Sequence, residues 1–149
     1  MRTQINEIKI SYKDRILSDK WVKLNSSQSA AEFIYKQWDK NTIALHETFK
    51  VVLLNNSNKA KGIFEVSKGS ITGTLVDIRV LLAVALKCLS VGMILTHNHP
   101  SGTLIPSASD KQITKKIKDA ATLLDIKVLD HIIIAPNADY FSFADEGLI

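Results

Sequence analysis

Apolar residues recur along the chain with two different periods, and the change falls near residue 45. Before it, Ala30, Phe33, Ile34 and Trp38 return at helical spacing and predict one helix after an irregular lead-in. Asn25, Ser26 and Ser27 are candidate N-caps, and Ser29 with Glu32 fits a capping box. Trp21 and Trp38 both fall in this part, where their bulk predicts an anchoring role. Residues 1–44 are therefore expected to form an N-terminal extension whose helix packs on a main domain of residues 45–149.

From Glu47 the pattern is that of strands alternating with apolar helices. Thr48 to Leu54 is rich in β-formers, Asn55-Asn56-Ser57-Asn58 is a turn cluster, and Gly62 to Ser67 reads as the returning strand of a hairpin. Val76 to Ser90 predicts a helix with Val80, Leu81, Val84, Ala85 and Leu89 on its buried side. Met93 to Thr96 is a short buried strand, and residues 97–106 form a loop with two prolines and a glycine. A second helix runs from Ser107 to about Leu124 with Ile113, Ile117, Ala121 and Leu124 inward. Lys127 to Ile134 and Tyr140 to Phe143 are further strands, separated by the Pro136-Asn137 turn. The order β-β-α-β-α-β-β predicts the α/β class, a three-layer α-β-α sandwich around a mixed sheet.

Composition narrows the chemistry. With 149 residues, 46% hydrophobic and 23% charged, the chain has room for one core and is not of disordered or collagen-like type. A single cysteine, Cys88, excludes a disulfide framework, a four-thiolate zinc site and an iron–sulfur cluster. Any metal must then be held mainly by His and carboxylate. Met1 to Arg15 lacks the apolar core of a signal peptide, and the apolar stretch Val80 to Leu95 is broken by Lys87, Ser90 and Gly92. The expected address is cytoplasmic, with no membrane contact. A net charge of +4 permits an acidic partner without demanding one.

The chemistry concentrates in His97-Asn98-His99-Pro100-Ser101-Gly102 and Pro106-Ser107-Ala108-Ser109-Asp110. His97 and His99, two apart at a strand end, point to one face. Asp110 falls in the first turn of the next helix, from where the loop can fold it toward them. Two imidazoles and one carboxylate leave the fourth tetrahedral position open, the layout of a catalytic zinc site. Water on that ion ionises near neutral pH and becomes a nucleophile for a carbonyl. Ser107-x-x-Asp110 is also an N-cap with its N3 carboxylate, a device that needs no function. The cap alone does not account for two histidines held opposite it.

His97-x-His99, seven residues, then Ser107-x-x-Asp110 resembles the JAMM (JAB/MPN+) metalloprotease motif, and the longer string is similar to its RadC-like bacterial branch. The resemblance extends from about Glu47 to the C-terminus, through Asp130-His131-Ile132-Ile133 and Gly147-Leu148-Ile149. It implies a cytidine-deaminase-like JAB/MPN fold, one Zn2+ ion, and hydrolysis of a peptide or isopeptide substrate. It makes His97, His99 and Asp110 the metal ligands and Ser107 the donor to a tetrahedral oxyanion. It also requires a glutamate as general acid and base. Spacing alone leaves Glu47 and Glu65 open, and the Glu-x-Phe pattern at Glu47 favours that residue. Asp130 and His131 are expected to support the sheet or the ligands rather than to bind metal. Where the family often has Pro-Arg-Glu, this chain has Asp77-Ile78-Arg79, and it is too short for the helix-hairpin-helix region of longer RadC proteins.

Other catalysts do not fit. His46-Glu47 is followed by Lys50 rather than a second histidine, and one cysteine cannot supply the deaminase Cys-x-x-Cys. His97-Asn98-His99 only spells the name of the HNH nucleases, whose motif is dispersed, and mid-helix Cys88 reads as core. The competing function class is a non-catalytic DNA- or protein-binding module that keeps the metal as a staple. Its support is the basic run Lys111, Lys115, Lys116 and Lys118, which lacks aromatic partners for bases.

Overall fold

The computed structural model describes residues 4–69 and 75–149, so the first three residues of the lead-in lie outside the described residues. The lead-in carries one 3-10 turn, Ser18–Lys20, before helix α1 (Ser27–Gln37). Strands β1 (Thr48–Leu54) and β2 (Ala60–Lys68) form the hairpin, followed by α2 (Ile78–Lys87) and β3 (Gly92–Asn98). Helix α3 (Ala108–Thr122), β4 (Lys127–Ile134) and β5 (Tyr140–Ser142) complete the chain. The sheet order is β2-β1-β3-β4-β5. Among the described residues only β3 and β4 run parallel, and α3 makes the crossover between them. The sheet is mixed, as expected.

Why the centre of the sheet is so apolar follows from its two covered faces. On one, α1 packs Ala30, Ala31 and Ile34 on Val52, Leu54, Ile94, Ile132 and Ile134. On the other, Leu81 and Ala85 of α2 and Ile117 and Ala121 of α3 pack on Phe49, Val51, Leu53, Met93 and Leu95. All seven residues of β3 are buried. Three layers result. Trp38 is 4% exposed within the α1 face, and Lys50 caps its ring at 4.4 Å.

Helix ends depart from expectation for local reasons. The α1 capping box joins Ser26 to Ser29, not Ser29 to Glu32: Ser26 is extended at φ −150°, and its Oγ accepts from the Ser29 N–H at 3.0 Å. Helix α2 is shorter than Val76 to Ser90, because the Asp77 carboxylate caps it and Leu89 turns left-handed (φ 56°). Leu81 and Ala85 are buried as predicted, but Val80 and Leu89 are exposed and Val84 is half-buried. Ser90, expected in the helix, folds inward and donates to the Gly92 carbonyl at 2.6 Å. At the end of α3, Asp125 is left-handed, so Ile126 enters the core and Leu124, predicted inward, is exposed. Cys88 is half-buried, and burial pushes its thiol up, as suits a packing residue.

Candidate metal centre

Central strand β3 carries His97 near its C-terminal end, on the face that packs against α3. Its ring lies parallel to Phe49 with centroids 5.9 Å apart. Two residues on, His99 emerges on the same side, and Gly102 (φ +83°) turns the loop so that its N–H reaches the His99 carbonyl. That turn places the Thr103 carbonyl 2.6 Å from His99 Nδ1. A carbonyl only accepts, so Nδ1 carries the proton and Nε2 presents a lone pair. Asp110 is fixed from the other side by the capping box. Ser107 Oγ accepts from the Asp110 N–H at 3.0 Å, and the Ser107 N–H donates to Asp110 Oδ2 at 2.8 Å. The proton of the Ser107 hydroxyl has no acceptor among the described residues.

The ligand atoms converge. His97 Nε2 lies 3.0 Å from His99 Nε2 and 3.3 Å from Asp110 Oδ1, and His99 Nε2 lies 3.4 Å from Asp110 Oδ2. Donors held about 2.0–2.1 Å from a tetrahedral ion stand roughly 3.3 Å from each other. Glu47, leading into β1, brings Oε1 to 3.5 Å from His97 Nε2 and 3.9 Å from His99 Nε2. The four ligand atoms lie within 4.8 Å of one another, and this group can hold a metal ion. Side-chain exposures are 2% for His97 and 12–16% for the other three, and the group opens to a cleft also lined by Phe49, Ser107 and Ile113. Two imidazoles and two carboxylates in a half-buried site suit a divalent cation.

Electrostatics agree with that demand. Burial raises the Glu47 carboxyl above its ordinary range, with the two imidazoles opposing and Asp110 adding to the rise. Burial also works against protonated His99, yet bonds to Asp110 and to the Thr103 carbonyl outweigh it and raise its pKa. For Asp110, burial is overcome by His97 and His99, which hold its carboxyl well below the carboxylate range.

Glu47, His97, His99 and Asp110 meet, and Ser107 stands beside them. Glu65 does not join them: it is exposed on β2, paired across the sheet with Lys50. Asp130 accepts from the N–H groups of His131 and Ala144 and from Ser142 Oγ, so it ties β4 to the C-terminal segment. His131 instead reaches the back of His97, Nε2 to Nδ1, at 2.7 Å. The four α3 lysines are exposed, and Lys115 pairs with Asp119. Two residues escaped the sequence reading, Thr114 and Asn98. Asn98 points away from the cluster and is fully buried. Its Oδ1 accepts from the Thr48 N–H at 2.7 Å, and its Nδ2 donates to the carbonyls of Ile43 (2.7 Å) and His46 (2.9 Å). Asn98 thereby holds the segment that carries Glu47. Strand alternation between two ligands was the signal available for it.

The family model described as RadC-like JAB domain matches residues 24–148, which takes in α1, the whole sheet and every residue of the cluster. The chain belongs to the RadC-like JAB-domain family. Among curated relatives, a protein of Flavobacterium johnsoniae named UPF0758 protein is 54% identical over 103 residues, 69% of this chain and 44% of that protein. A UPF0758 protein of Porphyromonas gingivalis is 45% identical over 103 residues, 69% of this chain and 45% of its own length. Another, of Actinobacillus succinogenes, is 44% identical over 100 residues, 67% of this chain and 45% of that protein. The chain thus spans less than half the length of these relatives. Among the described residues, no helix is long and apolar enough to cross a membrane.

Proposed function

We propose that this JAB domain is a zinc-dependent hydrolase of the metallopeptidase or isopeptidase type. The observation that carries the reading is the convergence of Glu47, His97, His99 and Asp110 within 4.8 Å at the base of an open cleft. His97 and His99 through Nε2 and Asp110 through its carboxylate would hold the ion, as their 3.0–3.4 Å separations suit three donors around one cation. Zinc supplies Lewis acidity there and brings the pKa of water toward neutrality.

The chain's own residues do the remaining work. Burial raises the Glu47 carboxyl, which makes it a stronger base for taking a proton from water and returning it to the departing amine. In balance, water oxygen bonds to the amide carbon, the C–N bond breaks, and the proton moves through Glu47 to nitrogen. Ser107 accepts from the backbone through its lone pair and keeps its O–H to donate to the carbonyl oxygen as negative charge develops. Phe49 and Ile113 line the cleft and limit water around the reacting bond.

The test is a digest of a diverse peptide pool, and of lysine-linked isopeptides, with new amines labelled and read by mass spectrometry. Zinc-loaded protein should release amines that neither chelator-treated protein nor Glu47→Gln releases. Equal release by Glu47→Gln would remove Glu47 from the reaction, and no release by the zinc-loaded chain from either pool would count against the peptidase reading.

A further inference from the structure

The mechanism makes no use of the most buried imidazole of the site. His131 of β4 is fully buried, with its ring stacked on Phe143 at 4.6 Å and edge-on to Phe49 at 5.5 Å. Both faces are apolar, so only its two nitrogens meet polar atoms. Nε2 lies 2.7 Å from His97 Nδ1, and Nδ1 lies 2.6 Å from Thr114 Oγ1. Thr114 Oγ1 in turn donates to the Asp110 carbonyl at 2.6 Å. An unbroken buried chain therefore joins the back of one metal ligand on β3 to the main chain of another on α3.

Its direction follows from chemistry. The Asp110 carbonyl only accepts, so the Thr114 hydroxyl spends its one proton there. Thr114 Oγ1 must then accept from His131 Nδ1–H, which leaves His131 Nε2 bare. A bare Nε2 accepts from His97 Nδ1–H. His97 is thereby held as the tautomer whose Nε2 lone pair faces His99 and Asp110. The reverse order would put the proton on His97 Nε2, and that nitrogen could not bind a cation. It would also leave the Thr114 and Asp110 oxygens facing each other without a proton between them.

We propose that His131 and Thr114 are positioning residues that select the metal-binding tautomer of His97 and fix α3 against β3 and β4 so that Asp110 meets it. The part concerning metal rests on the reading above; the tautomer part stands on the hydrogen-bond chain alone. His131 is not itself a ligand, because both of its nitrogens are committed. A histidine between two aromatic rings could have served packing only, and that role predicts a different outcome.

The experiment uses the full chain, stripped of metal and then titrated with zinc against a chromophoric chelator, beside nitrogen-15 spectra of the His97 ring at pH 8. Wild type should show Nδ1-protonated His97 in both metal-free and zinc-loaded protein. Thr114→Val, nearly isosteric, should weaken zinc binding about 10- to 100-fold, and metal-free His97 should populate the Nε2-protonated form. Thr114→Ser should restore both readouts, and His131→Gln should lose both. A packing role alone predicts a lower melting temperature for Thr114→Val with affinity and tautomer unchanged, which would overturn the proposal. Nε2-protonated His97 in metal-free wild type would overturn it as well. Failure of wild type to bind zinc, with His97 still Nδ1-protonated and Thr114-dependent, would sink the metal reading and leave the relay standing.

Discussion

Replacing Asn98 by Ala removes three hydrogen bonds at once, and the structure says what each one holds. The Thr48 N–H, 4% exposed at the start of β1, loses its acceptor, and the carbonyls of Ile43 and His46 lose their donor. A buried polar group left without a partner costs about 1–3 kcal/mol. Water entering the space left by the amide relieves part of this, so the total should be roughly 2–5 kcal/mol. At about 2–4 °C per kcal/mol for a domain near this size, melting should fall by ~5–15 °C. The functional consequence is selective. His97, His99 and Asp110 lie outside the 43–48 segment, so zinc affinity should change by less than a few-fold, whereas Glu47 loses its seat. Denaturation and zinc titration of Asn98→Ala, with kcat and KM on any substrate found by the digest, check this: stability and kcat should drop while KM and zinc affinity hold. Loss of less than about 1 kcal/mol together with unchanged kcat would refute the reasoning, since three buried bonds cannot vanish so cheaply.

Other expectations concern the same cluster. Glu47→Gln should bind zinc in full and lose about 10²- to 10⁴-fold in turnover, as removal of a general base does; metal content and kcat measured on one preparation decide it. Because Asp110 and the Thr103 carbonyl raise the His99 pKa, the metal-free protein gains stability from protonated His99 below about pH 6.5. That gain is lost as pH rises through the raised folded value. Zinc must displace that proton, so titrations across pH 5.5–8.5 should show affinity rising up to about tenfold per unit and then levelling once His99 is neutral. Zinc at a thousandfold excess over its Kd should stabilise by about 4 kcal/mol, and chelation should lower the melting temperature by ~10 °C. A thermal scan indifferent to chelator would contradict that.

Legibility in the sequence followed how local each physical cause is. The apolar run of β1 and the alternation around His97 are set by neighbours along the chain, so strands and ligand pair could be read directly. Asp110 was legible because capping-box chemistry needs its residue type at that spacing, and the box fixes the direction of its carboxylate. Helix ends were less so: Leu89 and Asp125 adopt left-handed turns without being glycine, and no local rule predicts that Ile126 replaces Leu124 in the core. Spacing alone does not separate Glu47 from Glu65; the Glu-x-Phe resemblance favoured Glu47, and the sheet order and the grip of Asn98 give the physical reason. Thr114 lay hidden in a helix whose inward positions read as aliphatic, and its role depends on a strand thirteen residues or more away in sequence. The chain from His97 to Asp110 through His131 and Thr114 exists only once three elements are assembled.

Elemental analysis of the purified chain, paired with anomalous scattering at the zinc edge, tests the central claim most directly. The account predicts one zinc per chain, centred between His97 Nε2, His99 Nε2 and the Asp110 carboxylate, and its loss in Asp110→Ala. Full zinc stoichiometry in Asp110→Ala, or an anomalous peak away from these three side chains, would contradict it.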